Sequence, residues 1–455
     1  MRLLAFDPGD VLVTALGADD WADLFAERRR VRTVHVEGDR VDVATELRSA
    51  GLGLRVARGR DVRMASTTRL DHGDALTLAS RLARGGPRRS GAALAEFTSH
   101  AVVVDEPIDA RPLAERVALA EGLARLVRGM SPRIAHVSVS LVDEVRDTEV
   151  ARTDRRAVAQ RVQRSVLSLE VVARDGARVE RASESIGGVG GLERVGHAEA
   201  ERAARTAASR ARRLLGAPPA PAGDMPVILA AEAGGTFVHE AVGHPLEADL
   251  VLDELSLFRD AVGAQIASPL VTVVDDPTLP GAHGSFFVDD EGEPAQRSVL
   301  VDRGRLVAFL GDRASARALP TARVGHARRE SYAAPPIVRM SNTLIAPGVD
   351  DPADILRDTP SGLYVTRVGG GEVDTVSGQF VFEAVEAYRI ERGVVGDLVR
   401  GATLVGDVRS ALEAIDRVGR DLGLAPGVCG KDGQDVPVAD GEPTLRIARL
   451  TIGGG

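Results

Sequence analysis

The chain has 455 residues and a formal net charge of −9, with apolar residues at 44% but aromatic residues at only 3%. That acidity, the lack of a dense basic block and the scarcity of aromatic platforms argue against direct nucleic-acid binding. No segment approaches the roughly 18 apolar residues of a spanning helix, "MRLLAFDPGD" has a charge and a proline where a signal peptide keeps its apolar stretch, and the single cysteine fits a compartment without disulfides, so a cytoplasmic protein free of the membrane is expected.

In chain order, "VRTVHVEG", "VDVATEL", "GLGLRVARG" and "DVRMAST" read as successive strands broken by glycine and aspartate turns, followed by a helix over "GDALTLASRLA". A helix is expected over "ARPLAERVALAEGLARLVRG". Half-buried alternation marks strands at "RIAHVSVSLVDEVR" and through "SVLSLEVVARDGARVE", before a helix near "HAEAERAARTAASRARRLLG". The pattern stops at "APPAPAGD", which predicts a linker at 217–224 between an N-terminal α+β domain over 1–216 and a strand-rich C-terminal α+β domain over 225–455. A mass of 47.9 kDa is too large for one ordinary core and by itself suggests two or three domains.

In the second part "MPVILAA" predicts a buried strand and "GGTFVHEAVGH" a helix start. A hairpin follows at "SVLVDRGRLVAFLGD", then one strand through "PPIVRMSNTLI", a long strand in "GQFVFEAVEAYRIERG", a helix in "DVRSALEAIDRVGRDLG" and a last strand at "PTLRIARLTIG". The acidic run "DDEGEP" at 289–294 lacks calcium-loop spacing and reads as a turn at a strand end. "VGGGEVD" at 368–374 lies between strands, with no helix start to receive a phosphate. His283 and His326 read as surface or loop histidines.

"HEAVGH" sets His239 beside Glu240, with His244 five positions after the first histidine. On a regular helix a spacing of four leaves side chains about 40° apart, whereas five leaves them about 140° apart. Two ligands at this spacing therefore require an irregular helix. Gly243 and Pro245 flank His244 and offer one: glycine admits helix-breaking dihedrals, proline pushes the residue before it towards extended geometry, and a π-type turn brings i and i+5 together. The other reading is two ordinary helical histidines on different faces. A catalytic zinc site needs a third protein ligand and an open fourth position. Cys429 is the candidate, with Gly427 and Gly430 predicting a tight loop that presents the sulfur.

Together with "GGTFVHEAVGHPLEAD", "GSFFVDDEGEPAQ", "RRESYAAPPIVRMSNT", "GLYVTRVGGGEVDTVSGQFVFEAVEAY" and "VCGKDGQDVPVADGEPTLRIARLTIGG", the chain resembles the TldD branch of the TldD/PmbA metallopeptidases, once described as modulators of DNA gyrase. The resemblance spans nearly the whole second domain. It implies His239, His244 and Cys429 as zinc ligands, Glu240 as catalytic base, unstructured peptides as substrates, and a heterodimer with a metal-free TldE/PmbA-like relative. The alternative is a non-catalytic regulator that binds gyrase or an antitoxin and keeps zinc for structure. Three apparent ligands, rather than four, favour catalysis.

Every one of the 57 basic residues is arginine except Lys431, two positions after the only cysteine. Where arginine meets every other need for charge, a lysine suggests a need for a compact ammonium. Lys431 is thus a candidate for supporting the Cys429 thiolate or for donating to a carbonyl or carboxylate oxygen of the substrate, the alternative being a pair with Asp432 or another loop acid. Tyr332, in "RESY", is a candidate electrophilic donor, with packing as its alternative.

Overall fold

The computed structural model describes residues 2–16, 21–58, 61–83, 96–154 and 156–454. Its first half is built on one twisted sheet. The central strand Trp21–Glu37 pairs antiparallel with Arg40–Arg58 on one side and Ile134–Arg152 on the other. Asp61–Thr67 forms one edge, and Arg156–Asp175 leads to Glu96–Ala101 and Arg178–Val189 at the other. "VDVATEL" and "GLGLRVARG" are not two strands but one of 19 residues. Gly51 and Gly53 keep their ladder partners Glu27 and Phe25, and are small because a Cβ at either would collide with Tyr332.

Period-two alternation sorts the faces of this sheet. Even positions of the central strand, Ala22, Leu24, Ala26, Val34 and Val36, are buried in apolar clusters that include the helices His72–Leu82, Leu113–Gly129 and His197–Leu214. Odd positions turn to the second half: Phe25 packs with Val150, Val158 and Val288, Asp23 bonds Arg55, and Glu27 bonds Arg146. Arg55 also reaches Glu291, and the Arg329 guanidinium lies 4.2 Å over the Phe25 ring. Such buried pairs add little net stability, but breaking one is costly, so they fix the register between the halves. "DDEGEP" is a turn, closed by a bridge between Val288 and Pro294, and its acids Asp289, Asp290 and Glu291 are buried in this junction. His283 and His326 lie in loops, outside helices and strands, but are buried there rather than at the surface; His326 Nε2 lies 2.8 Å from Ser298 Oγ.

In the second half Ser361–Val373, Gly223–Leu229, Leu445–Gly453, Ala402–Asp407 and Gln379–Glu391 pair in that order, and the last pairs again with the first, closing a barrel. A second sheet runs Arg305–Leu306, Ser298–Asp302, Val273–Asp275, Asn342–Ile345, Gln434–Glu442 and Gly423–Lys431. The architecture is α+β, as the patterning predicts, with a strand-rich C-terminal region. Two local expectations change. "PPIVRMSNTLI" splits into Ile337–Val338 and Asn342–Ile345 in different sheets, bent where buried Arg339 donates to the carbonyls of Cys429 and Gln434. "DVRSALEAIDRVGRDLG" is helical only over Val408–Glu413, after which Ile415–Val418 pairs with the final strand; backbone pairing and burial of Ile415 and Val418 override helical propensity. The glycines of "VGGGEVD" lie inside the strand Ser361–Val373.

Candidate metal centre

The segment carrying "HEAVGH" is wedged between the barrel and the second sheet. Gly235 starts it at φ 71°, so close to the strand Gln434–Glu442 that a Cβ would sit 2.3 Å from the Gly441 nitrogen. Phe237 anchors it edge-on to Phe380 and Phe382, with ring centroids 5.7 and 6.1 Å away. After one α-helical turn, Thr236–Val238, the chain widens into a π-turn over His239–Gly243 and tightens into a 3-10 turn over His244–Leu246. The His244 amide donates to the His239 carbonyl, the i+5 bond that sets both histidines on one side.

The neighbours of His244 act differently from the sequence expectation. Gly243 is helical, at φ −58° and ψ −59°, and is needed for space, since a Cβ would lie 1.9 Å from Met340 Sδ. His244 is helical at φ −59° and ψ −46°, not extended. Pro245 is accommodated in the first turn of the new 3-10 segment, where a missing N–H is harmless.

The π-turn brings the ligand atoms of His239, His244 and Cys429 within 4.8 Å of one another. The rings are nearly perpendicular at 85°, their centroids 5.0 Å apart, and Cys429 Sγ lies 3.5 Å from His244 Nε2. Each imidazole is held at Nδ1 by a carboxylate: Asp440 Oδ1 at 2.6 Å from His239 and Glu247 Oε2 at 2.9 Å from His244. Nε2 of each ring is left for a metal. Glu240 stands beside this set; its side chain is partly exposed and its Oε2 is 4.0 Å from His244 Nε2.

Cys429 arrives on a strand rather than in a loop. Gly423–Lys431 is the edge of the second sheet, and Gly427 and Gly430 are ordinary ladder residues within it. Asp432 and Gly433, at φ 51° and 71°, turn the chain back into Gln434–Glu442. The Asp-Gly pair between two strand-like runs is the sequence signal for such a hairpin. Cys429 is also buried in the main core, so its packing and ligand readings are compatible.

Lys431 Nζ lies 3.0 Å from Glu247 Oε2, 2.8 and 2.7 Å from the Asp249 oxygens, and 3.1 Å from the Val338 carbonyl. These acceptors engage all three of its donors, leaving none for a substrate oxygen, and its acids follow the histidines in "HPLEAD" instead of belonging to its own loop. One nitrogen serving convergent acceptors suits a point-like ammonium, not a planar fork. Tyr332 lies elsewhere: its ring packs against Gly51 on the first sheet, its amide donates to Glu27 Oε2 at 3.1 Å, and it borders the Phe25 cluster. That is a packing position.

Burial disfavours charge on all three candidate ligands, but the cluster's own contacts outweigh it. Asp440 holds His239 well above the ordinary imidazole value, Glu247 and Cys429 raise His244 to about 10, and the two rings bring the Cys429 thiol down to about 6. His244 and Lys431 keep the buried Glu247 carboxyl below its usual range. Two imidazole nitrogens and a ready thiolate form a donor set that fits zinc, with one coordination position left over. Sequence reasoning missed Glu247, Asp249, Asp440 and Arg339. The i, i+3 spacing of His244 and Glu247 was the one available local signal.

Family models described as the PmbA/TldA metallopeptidase match as domain 1 at residues 22–84, central domain at 106–215 and C-terminal domain at 222–454. A metalloprotease TldD homolog of Haemophilus influenzae is 38% identical over 355 residues, 76% of this chain and 74% of the relative. A zinc metalloprotease TldD homolog of Saccharolobus solfataricus is 31% identical over 337 residues, 73% of this chain and 74% of the relative. The crystal structure of a putative modulator of a DNA gyrase from Thermotoga maritima superposes with a TM-score of 0.76 at 20% identity, covering 95% of this chain and 96% of the other. That of TldE from Thermococcus kodakarensis gives a TM-score of 0.74 at 18% identity, covering 96% and 97%. The two structures share the fold.

Proposed function

Because the chain belongs to the PmbA/TldD metallopeptidase family, we propose that it is a zinc-dependent peptidase in which His239, His244 and Cys429 hold the ion and Glu240 is the general base. The observation that carries this reading is the π-turn that gathers three ligand atoms within 4.8 Å beside a partly exposed carboxylate. The nitrogen and thiolate donors support zinc, as does the name of the Saccharolobus relative. Bound there, zinc would supply Lewis-acid polarisation of a peptide carbonyl and make water easier to deprotonate.

Glu240 then takes the proton of the attacking water on a carboxylate oxygen and delivers it to the leaving amine. Asp440 and Glu247 fix the two rings through Nδ1, and Lys431 steadies Glu247. Among the described residues three side chains form the ligand group, and a structural zinc is normally closed by four, which weighs against a purely regulatory role. Substrates in this reading are unstructured peptides or peptide precursors in the cytoplasm, and a TldE/PmbA-like partner completes the cleft. We also divide the chain at 217–224, into units over 1–216 and 225–455. The test is to co-purify the chain with such a relative, measure zinc, and digest peptides with the wild type and Glu240→Gln. Equal cleavage by both, or none by either, overturns the catalytic reading.

A further inference from the structure

Where the first sheet meets the second half, a cavity of about 20 Å³ lies between Arg146, Gln160 and Arg164 of that sheet, the turn residues Asp289 and Asp290, and Arg328. About 10–15 Å³ is enough for one water-sized species. The cavity therefore takes one small occupant.

The guanidinium groups around it are unevenly paired. Arg146 is matched, with Nε donating to Glu27 at 2.6 Å and Nη1 to Asp290 at 3.4 Å. Arg164 donates Nε and Nη2 to the carbonyls of His283 and Ser285, each at 2.9 Å, while its nearest carboxylate, Glu144, is 3.7 Å away and shared with Arg29. Arg328 is only 4% exposed, and among the described residues it has no carboxylate partner and one hydrogen bond, from Nη1 to the Met340 carbonyl at 2.8 Å. A guanidinium has five N–H donors, so most of those on Arg328 are unused in a buried place.

The two acids of the wall are already engaged. Asp289 accepts the amides of Glu291, Glu293 and Ala327, and Asp290 accepts Arg146 and the Arg329 amide. Burial and the neighbouring Arg164 bring Arg328 down to about 9, and burial brings Arg164 down to about 10, so both remain cations at neutral pH. A buried cation with unmatched donors is unfavourable, and repulsion among three guanidinium groups adds to that.

We infer that the cavity binds one monovalent anion of halide size, chloride under ordinary conditions, between Arg164 and Arg328, and that this ion braces the first sheet against the turn containing Asp289 and Asp290. A water fills the same volume but leaves Arg328 without an anionic partner. Phosphate or a carboxylate ligand is too large for it.

The test uses the full chain at fixed ionic strength. Replacing sodium gluconate with chloride or bromide is expected to raise the thermal midpoint saturably, by about 2–4 °C, and Arg328→Met is expected to lose that dependence. Crystals grown with bromide as the only halide should show its anomalous signal between Arg164 and Arg328. Equal midpoints in gluconate and bromide, a halide shift that persists in Arg328→Met, or bromide crystals with only water in the cavity overturns the inference. If Arg328→Met does not fold, the bromide crystal of the unmodified chain decides.

Discussion

Lys431 is joined to His244 through a single atom: Glu247 Oε2 accepts from Lys431 Nζ at 3.0 Å and from His244 Nδ1 at 2.9 Å. The lone lysine is thereby tied to the orientation of a candidate ligand through Glu247. Lys431→Met leaves Asp249 without its cation and Glu247 with His244 alone, and is expected to cost about 3–5 kcal/mol of stability and to weaken zinc binding about 10–100-fold. Lys431→Arg is expected to fold, with a smaller loss of zinc affinity. Urea titration and chelator competition measure both quantities. Wild-type zinc affinity in Lys431→Met would rule out this connection.

Glu240 is beside the ligand set rather than in it. Glu240→Gln is therefore expected to retain full zinc while peptide cleavage falls by about 10²–10⁴-fold. Elemental analysis and a peptide digest separate the two effects. Loss of zinc from this variant would make Glu240 a ligand instead.

Cys429 is both a core residue and the only soft donor of the cluster. Cys429→Ala is expected to lower zinc occupancy and activity together, while the metal-free fold loses only about 1 kcal/mol for one missing heavy atom. Full zinc occupancy with full activity in the variant contradicts the three-ligand site.

The metal-free cluster predicts how zinc binding depends on pH. Despite burial, Asp440 keeps His239 high and Glu247 lifts His244 to about 10, so both rings are protonated at pH 7.5, while Cys429, brought down to about 6, is already a thiolate. Each ring must lose a proton to bind, so affinity is expected to rise with pH above pH 6, about tenfold per pH unit for His244 up to about pH 10 and more steeply wherever His239 still holds its proton. The raised imidazole values contribute stability to the metal-free chain that is fully present below the unfolded histidine value and lost as pH rises through the folded values, about 10 for His244, while the lowered Cys429 thiol contributes the opposite way, its share being lost as pH falls through about 6. Calorimetry in buffers of different ionisation enthalpy counts the released protons. Release of none at pH 7.5 would contradict the charge state.

Periodicity along the chain was enough to read the helix His197–Leu214, the strand Ile134–Arg152 and the α+β class, because these patterns report which face of a local element is apolar. The spacing of His239 and His244 likewise called for a distorted helix if both were to meet one ion, since a regular one carries them to different sides; a π-turn is found there. Where local preference met a competing partner, sequence reasoning failed. Ile415 left its expected helix for the final strand, and Arg48, Ser49 and Ala50, expected to separate two strands, stay paired within one.

What the sequence determined by itself is thus the chemistry on offer: two histidines at an unusual spacing, one cysteine, one lysine and a neighbouring glutamate. Tertiary structure alone decided how they are joined. Asp440 reaches His239 because Gly235 lets the π-turn segment dock on the Asp440–Gly441 backbone, and Lys431 reaches Glu247 because an Asp-Gly hairpin carries Cys429 and its lysine back beneath the histidines. Those pairs are 201 and 184 residues apart in the chain. Contacts across such distances depend on how closely packed strands stack, and that geometry is set by the volumes of many side chains together, not by the pattern within any one segment.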